Sequence, residues 1–305
     1  MRTIRDLASF PPDGPPTVAA LGVFDGVHLG HRAILTTAVA RARDLALPAL
    51  ACTFDPHPMK ILQPDRAPTL IVSLEERLAL IAALGIDTAV VLAFTPELAA
   101  MEAEAFVKDI VVGRLSAREV IVGATHTFGR GARGNARLLQ TLGARLGFRT
   151  HVAPPLVVDG VPVSSSAVRD ALERGDVAQA ARYLGRPYSV TGRVVAGAGR
   201  GRALGFPTAN VAPEVDPLVP NGVYACRVVV DGATRAAVVN VGTRPTFGET
   251  MRAVEAHLLD FTGDLYGRTA RVEFVGRLRD ERRFPDVDAL RAQIAADIAT
   301  ARQRF

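Results

Sequence analysis

Lysine is almost missing from this sequence. Of its 36 basic residues only Lys60 and Lys108 are lysines. No GxxxxGK[ST] segment can be written, which excludes a P-loop kinase. Cysteine is equally scarce: Cys52 and Cys226 are the only two. They suggest neither a disulfide framework nor a zinc site, and a reducing, cytoplasmic setting is expected. No apolar run approaches the ~18 residues that a membrane helix needs. The opening MRTIRDLASFPPDG lacks the apolar stretch of a secretory signal. The net charge is +5 and the pI about 9.7. The arginines are nevertheless scattered, without a basic tract or an interleaved aromatic platform, so a nucleic-acid partner is not expected. A mild positive field suits small anionic nucleotides. At 305 residues, 49% hydrophobic and 22% charged, the chain has an ordinary globular composition and length enough for two domains.

What is present begins with LGVFDGVHLGH, Leu21 to His31. An apolar run, Val18 to Val23, leads into a Gly-containing loop. A helical pattern follows at Ile34, Leu35, Ala38, Val39, Ala42 and Leu45. The loop therefore lies where a strand ends and a helix starts, a junction whose free N–H groups and dipole attract anions. Two imidazoles there, His28 and His31, suit the handling of phosphate charge in a transition state.

Further short strands are expected at Ala49–Phe54, Thr88–Phe94, Val120–Val122 and His151–Val158. Helices are expected at His31–Ala46, Leu74–Leu84, Glu102–Arg114 and Asn135–Leu146. Alternation of this kind implies a parallel sheet covered on both faces, with ligands beyond the carboxyl ends of the strands. The loops to search are then Gly22–His31, TFDPHP at Thr53–Pro58, GATHTFGRGARGN at Gly123–Asn135, and the serine-rich helix start at Pro162–Asp176. In the last, Ser164, Ser165, Ser166 and Arg169 supply hydroxyls, helix N–H groups and a guanidinium to an anion.

Near Arg186 the pattern changes to short β-rich runs: Tyr188–Val195, Val223–Val230, Arg235–Val241, Ala253–Leu259 and Thr269–Val275, with a hairpin signal at Asp231–Gly232. A closing helix carries Leu290, Ile294, Ile298 and Ala301 on one face. This half reads as a small antiparallel barrel. Its Gly-rich loop, Ala196 to Asn210, could wrap phosphates with backbone N–H groups. Thr208 and Asn210 offer the hard oxygen ligands that Mg²⁺ prefers. Along Ala253–Leu259, alternation puts Val254, Ala256 and Leu258 on one face, and Glu255 and His257 on the other. A Glu so placed beside a metal–phosphate site can act as general base.

These segments resemble prokaryotic bifunctional riboflavin kinase/FAD synthetases from about Ala19 to the end. GVFDGVHLGH is similar to the GxFDGxHxGH form of the nucleotidyltransferase HxGH motif, and Ser164–Arg169 to its ISSTxxR partner. GRGRALGFPTAN, Gly199 to Asn210, resembles the riboflavin kinase motif whose PTAN carries ATP–Mg²⁺. NVGTRPTFG, AVEAHLLDFTGDLYG and RLRDERRF match later family segments in order. The resemblance implies an α/β nucleotidyltransferase domain, Rossmann-like with a parallel sheet, at 1–185. A small antiparallel β-barrel kinase domain with a C-terminal helix follows at 186–305.

The resemblance implies that the first domain adenylylates FMN to FAD with ATP, releasing pyrophosphate. His28 and His31 are its catalytic histidines. Its ATP and flavin contacts are Gly22, Phe24, Asp25, Gly26, Asp55, Gly123, Thr125, Phe128, Ser164, Ser165, Ser166 and Arg169. Relatives have G-x-[DN]-F-x-F-G where this chain has Thr125 and His126. The second domain phosphorylates riboflavin to FMN. Glu255 is its base, and Gly197, Gly199, Gly201, Arg202, Gly205, Thr208, Asn210, Asn240 and Arg244 bind its substrates. Thr208 and Asn210 are ligands of Mg²⁺, with ATP as co-substrate. The expected partners are riboflavin, FMN, FAD and ATP, with no nucleic acid or membrane; weak homo-oligomerisation is allowed. Two rivals stand beside this reading. One is a monofunctional riboflavin kinase with a degenerate first half, motivated by Thr125 and His126. The other is a non-catalytic flavin or nucleotide binder, motivated by the pI.

Overall fold

The computed structural model describes residues 1–7, 14–197, 199, 201, 204–245 and 250–305, with the backbone alone at 244, 245, 250 and 251. Contacts divide it into two compact units: residues 1–68 with 74–164, and 69–73 with 165–305. The division falls between Ser164 and Ser165, about twenty residues before the change of pattern at Arg186.

In the first unit, β1 (Arg2–Ile4), β2 (Thr17–Leu21), β3 (Ala49–Asp55), β4 (Thr88–Ala93), β5 (Ala117–Gly123) and β8 (Arg149–Ala153) form a wholly parallel sheet in the order β1-β4-β3-β2-β5-β8. Strand alternation feeds two cores. Ala19 and Leu21 pack on one face with Leu50, Phe106 and Leu139, and Val18 and Ala20 on the other with Leu35, Ala51 and Ile81. Two-sided burial explains the unbroken apolar strands. The crossovers are α1 (Leu29–Leu45), α2 (Pro58–Leu62), α3 (Leu74–Ala82), α4 (Pro96–Ala100), α5 (Ala103–Ala105) and α6 (Ala136–Leu146).

The helix expected over Glu102–Arg114 continues from α5 as a π-helix, Phe106–Val112. The edge strand β1 was not expected; three residues are too few for periodicity to register. Two short pairs interrupt the loops. β6 (Thr127–Phe128) pairs with β7 (Gly134–Asn135), and β9 (Val157–Val158) with β10 (Val161–Pro162). The strand expected over His151–Val158 is thus split between β8 and β9. The chain leaves β2 toward β3 on one side and β5 toward β8 on the other, so a topological switch point lies between the carboxyl ends of β2 and β5. Gly22 and Gly123 mark those two ends.

In the second unit, α7 (Ser165–Glu173) and α8 (Val177–Leu184) precede a closed barrel. Its strands are β11 (Ser189–Val195), β12 (Ala209–Pro213), β13 (Gly222–Val230), β14 (Ala233–Pro245), β15 (Thr250–Leu258) and β16 (Thr269–Arg279). They run antiparallel in the order β11-β12-β15-β14-β13-β16, closing back on β11. The β13–β14 hairpin turns at Asp231 (φ 49°) and Gly232 (φ 78°), as a type I′ turn requires. Tyr188, Tyr224 and Phe274 interlock inside the barrel, with ring centroids 5.4 and 5.2 Å apart. The closing helix α9 (Val287–Arg302) is tied to β16 by Arg279, whose guanidinium grips the buried Asp297 carboxylate at 2.8–3.0 Å. Two expectations change. Ala209 and Asn210 belong to β12 rather than to the Gly-rich loop, and the last strand runs on to Arg279, beyond the expected end at Val275. Short strands interrupted by Gly, Pro and Arg escape a period-2 search.

Candidate active sites

At the end of β2 the chain makes a left-handed corner: Phe24 has φ 54°, Gly26 79° and Val27 39°. A β-branched residue in this region costs about 1–3 kcal/mol, and the full burial of Phe24 and Val27 offsets it. The corner ends at His28, the N-cap of α1, whose Nδ1 accepts from the His31 N–H at 3.3 Å. An accepting Nδ1 fixes the His28 proton on Nε2. The two imidazoles lie stacked, centroids 3.6 Å apart, with the edge of Phe24 against His31 at 5.4 Å.

The motif glycines follow from this packing. A Cβ at Gly22 would stand 2.8 Å from the Phe24 ring, and one at Gly30 3.2 Å from the His28 ring. His31 titrates well below the ordinary imidazole range, because burial, then His28, then Arg77 oppose its proton. It is therefore neutral near pH 7, a donor rather than a fixed cation.

Around this pair, Asp25 is buried, Asp55 is exposed at the end of β3 before a cis Pro56, and a Cβ at Gly123 would stand 3.3 Å from Ile34 of α1. Thr125 is exposed in the following turn. Phe128 is a buried side chain, 5.6 Å from Phe106. Its neighbour His126 stacks on it at 5.8 Å. The chain leading to Ser164 passes the HxGH turn, with Val163 O 3.5 Å from a Cβ built at Gly30. Ser164 ends the first unit. Ser165, Ser166 and Arg169 occupy the start of α7 in the second, where Arg169 Nε donates to Thr69 O at 2.8 Å.

Sequence reasoning missed Arg77. It sits on the apolar face of α3 with Leu74, Leu78 and Ile81, only 1% exposed, and bonds both the loop after β2, at Val23, and the end of β3, at Phe54. The legible signal was its position: a cation on the buried stripe of an amphipathic helix needs a polar reason to be there.

In the barrel, a cavity of about 770 Å³ is lined by Phe206, Thr208, Asn240, Glu255, His257, Arg279 and Phe284, among others. A second, about 560 Å³, is lined by Val194, Pro207, Thr208, Leu258, Phe261 and Tyr266. Thr208 belongs to both. Asn210 on β12 pairs in register with Glu255 on β15, and Glu255 with Asn240 on β14. The three side chains thus form one row across adjacent strands. The expected alternation holds: Val254, Ala256 and Leu258 are buried, while Glu255 and His257 are half-buried on the other face.

His257, to which the sequence assigns no role, bonds Pro207 O through Nδ1 at 2.8 Å and meets Phe206 edge-on. It fixes the Pro-Thr corner. Asn240 donates to Glu281 at 3.3 Å, and the Arg279 and Arg282 guanidiniums lie over the Phe284 ring, 5.7 and 4.9 Å from its centroid. A Cβ at Gly197 would overlap the Asn210 carboxamide, and one at Gly201 would lie 3.1 Å from Thr208 Oγ1. Gly199 and Gly205 take φ 69° and 88°. Arg202 lies outside the described residues, and Arg244 is described only by its backbone in β14.

A Mg²⁺ ion fits this donor set. Thr208 and Asn210 supply a hydroxyl and a carboxamide oxygen. Among the described residues no three His, Cys, Asp or Glu side chains cluster as metal ligands.

Comparison with known proteins places both halves. The FAD synthetase family model matches residues 11–167 and the riboflavin kinase model residues 184–305. The chain is 39% identical to the bifunctional riboflavin kinase/FMN adenylyltransferase of Escherichia coli K12, over 100% of its own length and 97% of the relative's. It is 35% identical to that of Bacillus subtilis, over 95% and 92%. A Streptococcus pneumoniae crystal structure titled macrolide-efflux protein shares the fold at TM-score 0.88 and 29% identity, covering 98% of each chain; that title describes the other protein. With matching motifs, matching folds and full-length relatives in agreement, this chain belongs to the bifunctional riboflavin kinase/FMN adenylyltransferase family.

Proposed function

We propose that the two activities, riboflavin phosphorylation and FMN adenylylation, are served by the two residue sets described above, with the functional boundary near Arg186. The carrying observation is that the stacked histidines and the Asn210–Glu255–Asn240 row occupy different compact units. In the kinase, Glu255 accepts the proton of the ribityl hydroxyl as its oxygen attacks the γ-phosphate of ATP, and ADP leaves. Glu255 stands in the larger cavity and Thr208 in the wall it shares with the smaller one, which supports flavin in the first and nucleotide in the second. Thr208 and Asn210 would hold Mg²⁺, which supplies charge neutralisation on the phosphates. Gly197, Gly199, Gly201, Arg202, Gly205, Asn240 and Arg244 are assigned with them to binding ATP and the flavin, as the motif resemblance implies.

In adenylyl transfer, a phosphate oxygen of FMN attacks the α-phosphate of ATP and pyrophosphate leaves. His28 and His31 donate to the charge that develops there. Gly22, Phe24, Asp25, Gly26, Asp55, Gly123 and Thr125 shape the adjoining site, and Ser164–Ser166 with Arg169 take the departing phosphates. The enzyme works in the cytoplasm on small molecules, not on nucleic acid or membrane, with weak self-association allowed. Buried, unpaired Cys52 and Cys226 support the reducing setting.

The test is a chromatographic time course from riboflavin and ATP with Mg²⁺. His28→Ala is expected to stop at FMN. Glu255→Ala is expected to lose 10²-fold or more of the first step, roughly the worth of a general base, yet to convert supplied FMN. Loss of both activities in both folded variants would refute the division of roles.

A further inference from the structure

Arg77 is one of the largest fully buried side chains of the molecule. Burying a guanidinium costs several kcal/mol unless polar groups receive it, and an apolar residue would fill the same place more cheaply. Its NH1 donates to Val23 O at 2.8 Å, Phe54 O at 3.1 Å and Thr53 Oγ1 at 3.2 Å. Thr53 Oγ1 in turn donates to Val23 O at 2.8 Å. Val23 opens the corner that ends in His28. Thr53 and Phe54 are the last strand residues before Asp55. Asp25, Asp55 and Glu75 offset the charge, and Arg77 is one of the groups that oppose a proton on His31. The Val23 carbonyl immediately precedes the left-handed corner at Phe24 to Val27, so holding that carbonyl fixes the direction in which the chain enters the corner.

We propose that Arg77 is a positioning residue for adenylyl transfer, clamping the loop after β2 to the carboxyl end of β3 and so setting the placement of His28 and His31. This rests on the reading of the first unit as the FMN adenylyltransferase. Because the three acceptors converge on one nitrogen, an ammonium can serve them too. Lysine should therefore replace Arg77 in function where an uncharged side chain of similar length cannot.

The full-length enzyme carries its own control, since riboflavin phosphorylation is read in the same tube. Arg77→Met is expected to lower kcat for FMN-to-FAD conversion by 10²-fold or more. Riboflavin phosphorylation should stay within twofold, measured well below the unfolding transition. Arg77→Lys should recover to within tenfold of wild type. Should Arg77→Met not fold, Thr53→Val removes one arm of the clamp and should cost about tenfold in kcat, with little change in KM for ATP. A folded Arg77→Met enzyme with wild-type kcat overturns the proposal. So does a folded Arg77→Lys enzyme as poor as the Met variant. If wild type itself makes FMN but no FAD, it is the reading of the first unit that falls, a different result from either.

Discussion

His126 offers a sharp physical test, because it takes the position of Phe in the G-x-[DN]-F-x-F-G pattern that this loop resembles. Its ring stacks on Phe128, and its Nε2 is enclosed without a hydrogen-bond partner among the described residues. Burial lowers its pKa from 6.5 to about 4. The native state therefore keeps it neutral while the unfolded chain takes up a proton near 6.5. Stability is fully present above that value and is lost as pH falls toward 4, by up to ~1.4 kcal/mol per pH unit. Over the window this integrates to roughly 3 kcal/mol at most, and screening of the partly exposed ring reduces it to about 2.

His126→Phe keeps the stacking and removes both the unpaired nitrogen and the titration. We expect it to stabilise the first unit by about 1 kcal/mol near pH 7.5, the gap widening to about 3 kcal/mol near pH 4.5. Urea unfolding by circular dichroism reads both units. Emission from Tyr183, Tyr188, Tyr224 and Tyr266, all in the second unit, reads that unit alone and should not change. A gap between variant and wild type that stays constant with pH refutes the burial argument. His31, depressed in the same sense, leaves wild type and variant alike with a residual acid sensitivity.

Two further outcomes follow from the barrel. Gly197→Ala drives a methyl group into the Asn210 carboxamide; the KM for ATP in riboflavin phosphorylation should rise at least tenfold, about 1.4 kcal/mol, while initial rates of FMN adenylylation hold. Asp297→Ala leaves the Arg279 guanidinium without its partner. It should cost about 2–4 kcal/mol, read as a lower urea midpoint in tyrosine emission, and Asp297→Asn should recover part of that loss.

The elements with strong periodicity were legible from sequence because burial imposes it. The α1 stripe from Ile34 to Ala42 and the alternation at Val254–Leu258 both appear in the fold. So were the motif positions of His28, His31 and Glu255, whose neighbours Gly22, Gly30, Val254 and Ala256 are what the packing requires. What stayed hidden depends on contacts distant in sequence. Arg77 reaches Val23 across 54 residues, and His257 reaches Pro207 across 50; neither leaves a local pattern beyond a polar residue on a half-apolar face. Strand β12 was hidden because five residues ending in Pro213 carry too little alternation to separate from the loop before them. The grouping of α7 and α8 with the barrel is likewise set by tertiary packing, not by the change in composition at Arg186.

The row formed by Asn210, Glu255 and Asn240 ties the chemistry to the folding of the barrel. In a closed sheet no strand has a free edge along which to slide. A one-residue slip of β15 would bring Val254 or Ala256 into the row and turn the Glu255 carboxylate into the core. Misregistered barrels thus pay for a buried charge before they can present a wrong active site. A single inserted or deleted residue within Thr250–Glu255 should therefore fail as a folding defect, well before it could be observed as an enzyme with altered specificity.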